Sequence, residues 1–196
     1  MANELAGRNA LVLGVERPMG RRAAVALAEA GADVAVVTLS EDTKAEFAAN
    51  STANEFWAIG RKGIALTSDG HETAVREAIA DATVELGPIS IVVWHASAPL
   101  PRETLAGTRS DPAIVVLVGA DDAAEDALAL LEWTAELASA GLRANALVAA
   151  GAAVDAASSP LTEHRPPSPM DVGAAAVYLA SDASAALDGV VVFAEE

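Results

Sequence analysis

Runs of apolar, largely β-branched residues constrain the fold of this chain more than any other feature. Residues 9–14 (NALVLG), 33–38 (DVAVVT), 89–95 (ISIVVWH) and 113–118 (AIVVLV) are apolar at nearly every position rather than at alternate ones, which is the pattern of strands covered on both faces. Similar runs at 63–67, 142–149 and 190–194 complete about seven strands. Between them the period becomes helical: Met19, Ala23, Ala26, Leu27 and Ala30 share one face, and Gly31 stands where a helix end favours glycine. Residues 71–86, 121–140 and 171–180 read as further helices. Buried strands alternating with helices predict an α/β fold, a Rossmann-like doubly wound parallel sheet of about seven strands. No linker divides the chain, so a single domain is expected over residues 1–196.

Two stretches fit this pattern less well. Residues 40–60 should hold the second crossover helix, yet Asn50-Ser51-Thr52-Ala53-Asn54 is a run of poor helix formers. Residues 96–112 (ASAPLPRETLAGTRSDP) join two parallel strands through Pro, Gly and charge. A crossover helix is usual at such a connection, so a segment has been trimmed.

Composition bounds the function. With 28 acidic and 12 basic residues the net charge is −16, which repels phosphate backbones and anionic lipid, so neither nucleic acid nor a membrane is an expected partner. The mean hydropathy of +0.33 comes from Ala and Val, and no apolar run approaches the roughly 20 residues of a membrane-spanning helix. Absence of Cys excludes disulfides, thiol catalysis and Cys-ligated zinc. His71, His95 and His164 show no metal-ligand spacing, so no metal site is expected. The opening residues carry no basic segment leading into an apolar stretch, which makes the cytoplasm the expected location.

The turn Gly14-Val15-Glu16-Arg17-Pro18-Met19-Gly20 joins a strand to a helix, where helix amides and the helix dipole favour a pyrophosphate. Two glycines in such a turn read equally well as a structural bend. Arg17 is suited to pair a phosphate, and the second strand ends at Thr38 without the carboxylate that would bind a ribose 2′-hydroxyl. A bound dinucleotide would therefore be the 2′-phosphorylated form, NADP.

Several of these segments, in order, resemble the short-chain dehydrogenases/reductases, from about Leu5 to Val192. LVLGVERPMGRRAAVALAEAGADVAVV is similar to that family's opening strand, glycine turn, helix and strand. Leu142-Arg143-Ala144-Asn145-Ala146-Leu147 is similar to its G-I-R-V-N-A-V segment, and MDVGAAAVYLASD at 170–182 resembles its P-E-D-V-A-A-A-V-x-F-L-A-S-D helix. The resemblance implies a seven-stranded Rossmann domain in a dimer or tetramer. It also makes Gly14 and Gly20 cofactor-binding positions and matches Asp69 to an Asp that touches adenine. Asp69 reads equally as a cap for the helix from His71.

The departures from that family bear on activity. Its reaction uses a Tyr and, four residues later, a Lys; counting back from Glu136-Leu137 puts these positions at Gly119 and Ala123. The chain's one Tyr is Tyr178, with Asp182 four residues on, and its lysines are Lys44 and Lys62. No Tyr-x-x-x-Lys exists anywhere in it. The family's N-N-A-G reads Trp94-His95-Ala96-Ser97, its middle turn glycine is Pro18, its P-G is Ala150-Gly151, and its nicotinamide-binding Thr is Ala156. The helix carrying a further catalytic Asn matches the trimmed region before Pro112.

His95, at a strand end where open α/β sheets hold ligands, is the remaining candidate for a general base. The 121–140 helix begins with Asp121, Asp122, Glu125 and Asp126, suited to the positive end of its dipole. Its apolar residues spread beyond one face, so its outer side is expected to stand exposed in a monomer and to need a partner. The loop 156–169, where the family places a substrate lid, predicts a shallow pocket. Together these readings favour a non-catalytic subunit in a homo- or hetero-oligomer, with a catalytically intact relative as the expected partner. The alternative is an NADP(H)-dependent oxidoreductase or a repurposed catalyst using His95.

Overall fold

The computed structural model describes residues 3–166, 168 and 170–194. Its strands are β1 (Asn9–Leu13), β2 (Asp33–Thr38), β3 (Gly63–Thr67), β4 (Ile91–Trp94), β5 (Ala113–Val118), β6 (Arg143–Ala149), β7 (Thr162–Glu163) and β8 (Val190–Ala194). They form one sheet in the order β3-β2-β1-β4-β5-β6-β8-β7, with every pairing parallel. The expected doubly wound sheet is thus present, with eight strands instead of about seven. The additional strand, β7, has two residues, both exposed, so no apolar run announces it. It adds to the sheet's edge by pairing Thr162 with Val190 and Glu163 with Val191.

Five helices cover the sheet: α1 (Pro18–Glu29), α2 (Thr43–Ala58), α3 (Glu72–Leu86), α4 (Ala124–Ser139) and α5 (Val172–Ala180). Alternate strand residues feed two cores. Ala10 and Val12 of β1 pack with Ala23, Leu27, Phe56 and Ala176 under α1, α2 and α5. Leu11 and Leu13 pack with Val75, Ile79, Leu130 and Trp133 under α3 and α4. The period of two along each strand therefore divides one buried run between two faces.

The second helix runs unbroken through its Asn- and Ser-rich centre. Asp42 accepts the Ala45 N–H at its start (2.8 Å), and the Thr52 hydroxyl donates to the Ala48 carbonyl (2.7 Å). Ala45, Ala49, Thr52, Ala53 and Phe56 bury one continuous face, so tertiary packing outweighs the weak propensity of this stretch. Between β4 and β5 the chain forms only a 3₁₀ turn, Arg102–Gly107, and its Thr104 and Leu105 are buried. The crossover there carries no α-helix.

The broad apolar surface of α4 is mostly covered within the chain, which corrects the expectation of an exposed outer side. Ala127, Leu130, Leu131, Trp133 and Leu137 are buried, and Leu128 is its one exposed large apolar side chain among the described residues. Trp133 lies 5.5 Å from Trp94 in a tilted pair, in a cluster shared with Leu105 and Leu161. Leu105 of the crossover's 3₁₀ turn and Leu161 of the β6–β7 connection thus contribute to the cover of α4. Asp121 and Asp122 also precede the helix rather than open it, since Ala123 is its N-cap.

Candidate functional site

Strand order reverses at β1, which pairs β2 on one side and β4 on the other. Ligands of open α/β sheets bind beyond the carboxyl ends at such a switch point. Here Leu13 is in register with Val37 and Trp94, so Gly14, Thr38 and His95 emerge close together. The next strand, β5, ends beside them and leads through Gly119–Ala123 into α4.

Packing explains both glycines of the first turn. Gly14 has φ +83°, and a Cβ there would collide with the His95 carbonyl oxygen. A Cβ on Gly20 would collide with the Gly14 carbonyl oxygen and lie 3.2 Å from His95 Nδ1. Gly14 is required by the approach of β4's end, and Gly20 by the close return of the turn onto its own Gly14 carbonyl.

His95 is almost fully buried, with 1% exposure. Its Nδ1 accepts the Gly20 N–H at 3.0 Å, so a neutral ring carries its proton on Nε2. Burial, then the positive charge of Arg17, push its pKa down to about 3, and Asp121 offsets this only in part. Nε2 has no partner among the described residues and lies within 3.5 Å of where a Cβ on Gly119 would stand. At neutral pH this ring donates from Nε2 and has no free acceptor nitrogen, which opposes a role as general base.

Arg17 reaches across the cleft. Its Nη2 pairs with Asp122 Oδ1 and lies 3.4 Å from Asp121 Oδ1. Burial alone would lower the guanidinium pKa; the hydrogen bond and charge of Asp122, with Asp121, more than offset that and raise it. Partial burial works against ionisation of Asp121, but Arg17 holds its carboxyl below the ordinary range. Asp122 is fixed from its other oxygen, which accepts the Gly119 N–H at 2.7 Å.

At the end of β2 the ligand-like group is a carboxylate. Glu16 Oε1 accepts the Leu39 N–H at 3.0 Å, and Thr38 donates its hydroxyl to the Ser40 carbonyl at 2.9 Å. Arg17 and Thr38 therefore serve different loops and form no joint phosphate site. Asp69 is exposed and accepts the His71 N–H at 2.9 Å, as a local cap before α3. That backbone hydrogen bond, mainly, keeps its carboxyl below the ordinary range.

The positions matched to the Tyr and Lys, Gly119 and Ala123, are the two ends of this short connection, and Asp121 and Asp122 fill the space between them and Arg17. Tyr178 is on α5, its hydroxyl 3.2 Å from His164 Nε2. Among the described residues no group of His, Asp and Glu is arranged to hold a metal ion. A groove of about 1390 Å³ runs along α1 between α2 and α5, lined by Arg21, Arg22, Val25, Met170, Val177 and Tyr178 among others. It is also lined by Val15, Glu16, Arg17 and Pro18 of the first turn, but not by His95, Thr38 or Gly119. Of the 156–169 loop, Pro167 and Pro169 lie outside the described residues.

A dinucleotide does not fit these residues as they stand. Pro18 lacks an N–H, the Gly20 N–H is given to His95, the Arg17 charge is matched by Asp121 and Asp122, and Glu16 occupies the end of β2. Sequence reading took Asp121 and Asp122 for helix-dipole residues and gave Glu16 no role. The available signal was opposite charge in two short loops, Glu16-Arg17 and Asp121-Asp122, that follow strands one apart in the sheet.

No family model matches the chain. It is 32% identical over 111 residues, 56% of its length, to General stress protein 39 of Bacillus subtilis. Over 97 residues it is 34% identical to 2-dehydro-3-deoxy-D-gluconate 5-dehydrogenase of Dickeya dadantii. These matches cover 37% and 34% of the two proteins, so the chain spans about a third of the length of the curated relatives it matches. Among solved structures it is similar to a blue fluorescent protein from a metagenomic library in complex with NADPH (TM-score 0.74, 19% identity, 98% of both chains). It is also similar to a short-chain type dehydrogenase/reductase from Mycobacterium marinum (TM-score 0.72, 20% identity, 98% of this chain and 96% of that one). Carveol dehydrogenase from Mycobacterium avium in complex with NAD gives a TM-score of 0.71 at 17% identity, over 98% of this chain and 97% of that one. The protein thus has the fold of the short-chain dehydrogenases/reductases. Within that fold it is a 196-residue form whose β4–β5 crossover lacks an α-helix and whose β5–α4 connection is short. Among the described residues, no helix is long and apolar enough to cross a membrane.

Proposed function

We propose that this protein is a non-catalytic short-chain dehydrogenase/reductase-like subunit that pairs with an oxidoreductase of the same fold and supports it. The observation that carries this reading is the state of the reaction centre: Gly119 and Ala123 stand at the Tyr and Lys positions, and Asp121 and Asp122 bind Arg17 across the space beside them. His95, the candidate base, is neutral with Nδ1 already engaged, which supports the reading.

Support for pairing comes from the helices flanking the β3 end of the sheet. Phe47 and Trp57 on α2, which covers one face of the sheet, are 73% and 63% exposed, and Val84 on α3, which covers the other, is 82% exposed; the pair on α2 offers apolar surface to a partner. We place the subunit in the cytoplasm, in keeping with its cysteine-free sequence.

Native mass spectrometry of the untagged protein, isolated from its own cells, tests this. A hetero-oligomer with a Tyr-x-x-x-Lys relative, with nucleotide carried by that relative, is the expected result. A homo-oligomer that holds one dinucleotide per chain and oxidises NADPH unaided would defeat the reading and return attention to the NADP(H)-dependent alternative.

A further inference from the structure

We propose that Glu16, Arg17, Asp121 and Asp122 form an internal latch that holds the cleft shut against phosphate-bearing dinucleotides. The inference rests on the reading of this cleft as a former cofactor site and adds the means of its closure. On one side Arg17, in the turn after β1, binds Asp122 and approaches Asp121 in the loop after β5. On the other, Glu16 accepts the N–H of Leu39 just beyond β2. The adjacent residues 16 and 17 thus splay in opposite directions and tie the central turn to the loop after β2 and to the loop after β5, across the end of β4.

The charges are arranged against a polyanion. A phosphate seeking Arg17 Nη2 must displace Asp122, whose side chain is 1% exposed and would be left as a buried carboxylate without its cation, while Nη1, which has no partner among the described residues, is itself buried. The phosphate would also meet Glu16 at the end of β2, where a 2′-phosphate would need a positive partner. Separating such a pair is unfavourable, and here it should lower affinity by about tenfold or more. Helix α1 offers little in exchange, with Pro18 at its first position and the Gly20 N–H committed to His95.

The test uses the full chain and NADPH as the probe. Isothermal titration and the NADPH-dependent shift in melting temperature are compared for the wild type, the triple variant Glu16→Gln/Asp121→Asn/Asp122→Asn, and the same triple variant carrying Arg17→Gln. Asn at 122 retains an oxygen for the Gly119 N–H, and circular dichroism with a cooperative urea transition checks the fold. The expected result is no binding by the wild type, binding at least about tenfold tighter by the triple variant, and loss of that gain with Arg17→Gln. Wild-type binding at micromolar NADPH, or a folded triple variant without any gain, would overturn the latch.

Amide hydrogen exchange of the wild type gives a second test that needs no variant. Leu39 and Gly119, each bonded to a latch carboxylate, should exchange slowly and be unchanged by NADPH. Rapid exchange at either would mean that the latch is open. Unaided turnover by the wild type would defeat the non-catalytic reading, whereas failure of the triple variant to gain NADPH defeats the latch alone.

Discussion

Acidification from pH 7.5 to 5 should destabilise the protein by about 2 kcal/mol through His95 alone. The ring is neutral in the folded state because a second proton would have to sit on Nδ1, which accepts the Gly20 N–H, in a buried site beside Arg17. Its pKa is pushed down to about 3 from the ordinary 6.5. A lowered folded-state pKa means that the unfolded chain takes up the proton first. The contribution is therefore complete above pH 6.5 and is lost as pH falls toward 3, at up to about 1.4 kcal/mol per pH unit. Over the roughly 1.5 units from 6.5 to 5 this amounts to about 2 kcal/mol. Urea unfolding of the wild type and His95→Asn at both pH values isolates the effect. Asn offers an oxygen where Nδ1 stood but does not titrate, and carboxylate contributions common to both proteins cancel. The wild type should lose about 2 kcal/mol more than the variant. Parallel losses would refute the argument, because His95 would then titrate alike in both states.

The latch also makes predictions about stability. Asp122→Ala should cost about 3 kcal/mol by urea unfolding, since it strands the half-buried Arg17 and the Gly119 N–H, whereas Asp121→Ala, at a side chain 68% exposed, should change stability by less than about 0.5 kcal/mol. Gly20→Ala should destabilise by about 3 kcal/mol or more, read as a lower melting temperature, because its Cβ has no space between the Gly14 carbonyl and His95. Trp133→Ala should cost about 4 kcal/mol and perturb the fluorescence of Trp94, its 5.5 Å neighbour; an unchanged spectrum would argue against that pair.

The fold was legible because its signals are local and repeated. Each of the seven long strands is an apolar run, and four of the five helices show unbroken helical spacing. β7 escaped because two exposed residues carry no burial pattern, and α2 read as interrupted because its Asn-rich centre is held by packing that only the sheet supplies. The positions of Gly14, Gly20 and His95 at one switch point were legible for the same reason as the strands that end there. The connections inside the cleft were not. Glu16 meets Leu39 across 23 positions of sequence and Arg17 meets Asp122 across 105. Such pairings depend on strand order and on side-chain direction, neither of which a local pattern encodes.

If the chain is non-catalytic, as proposed, the same connections explain how a reaction centre could be lost without the fold. The two cores are built mainly from strand and helix residues beneath the carboxyl ends, with Val15 and Met19 the contribution of the first turn. What an emptied cleft would leave is polar: the N–H groups of Gly20, Leu39 and Gly119, and the Arg17 guanidinium. Buried groups of this kind are costly when unpaired. Here His95, Glu16 and Asp122 accept those three N–H groups, and Asp122 also meets the guanidinium. Each partner comes from a loop other than that of the amide it satisfies, except Asp122, which closes its own loop and then reaches Arg17. On the proposed reading, side chains of the cleft thus take the three amides and one face of the guanidinium that a bound phosphate group would otherwise meet, while Glu16 Oε2, Arg17 Nη1 and His95 Nε2 stay without partners among the described residues.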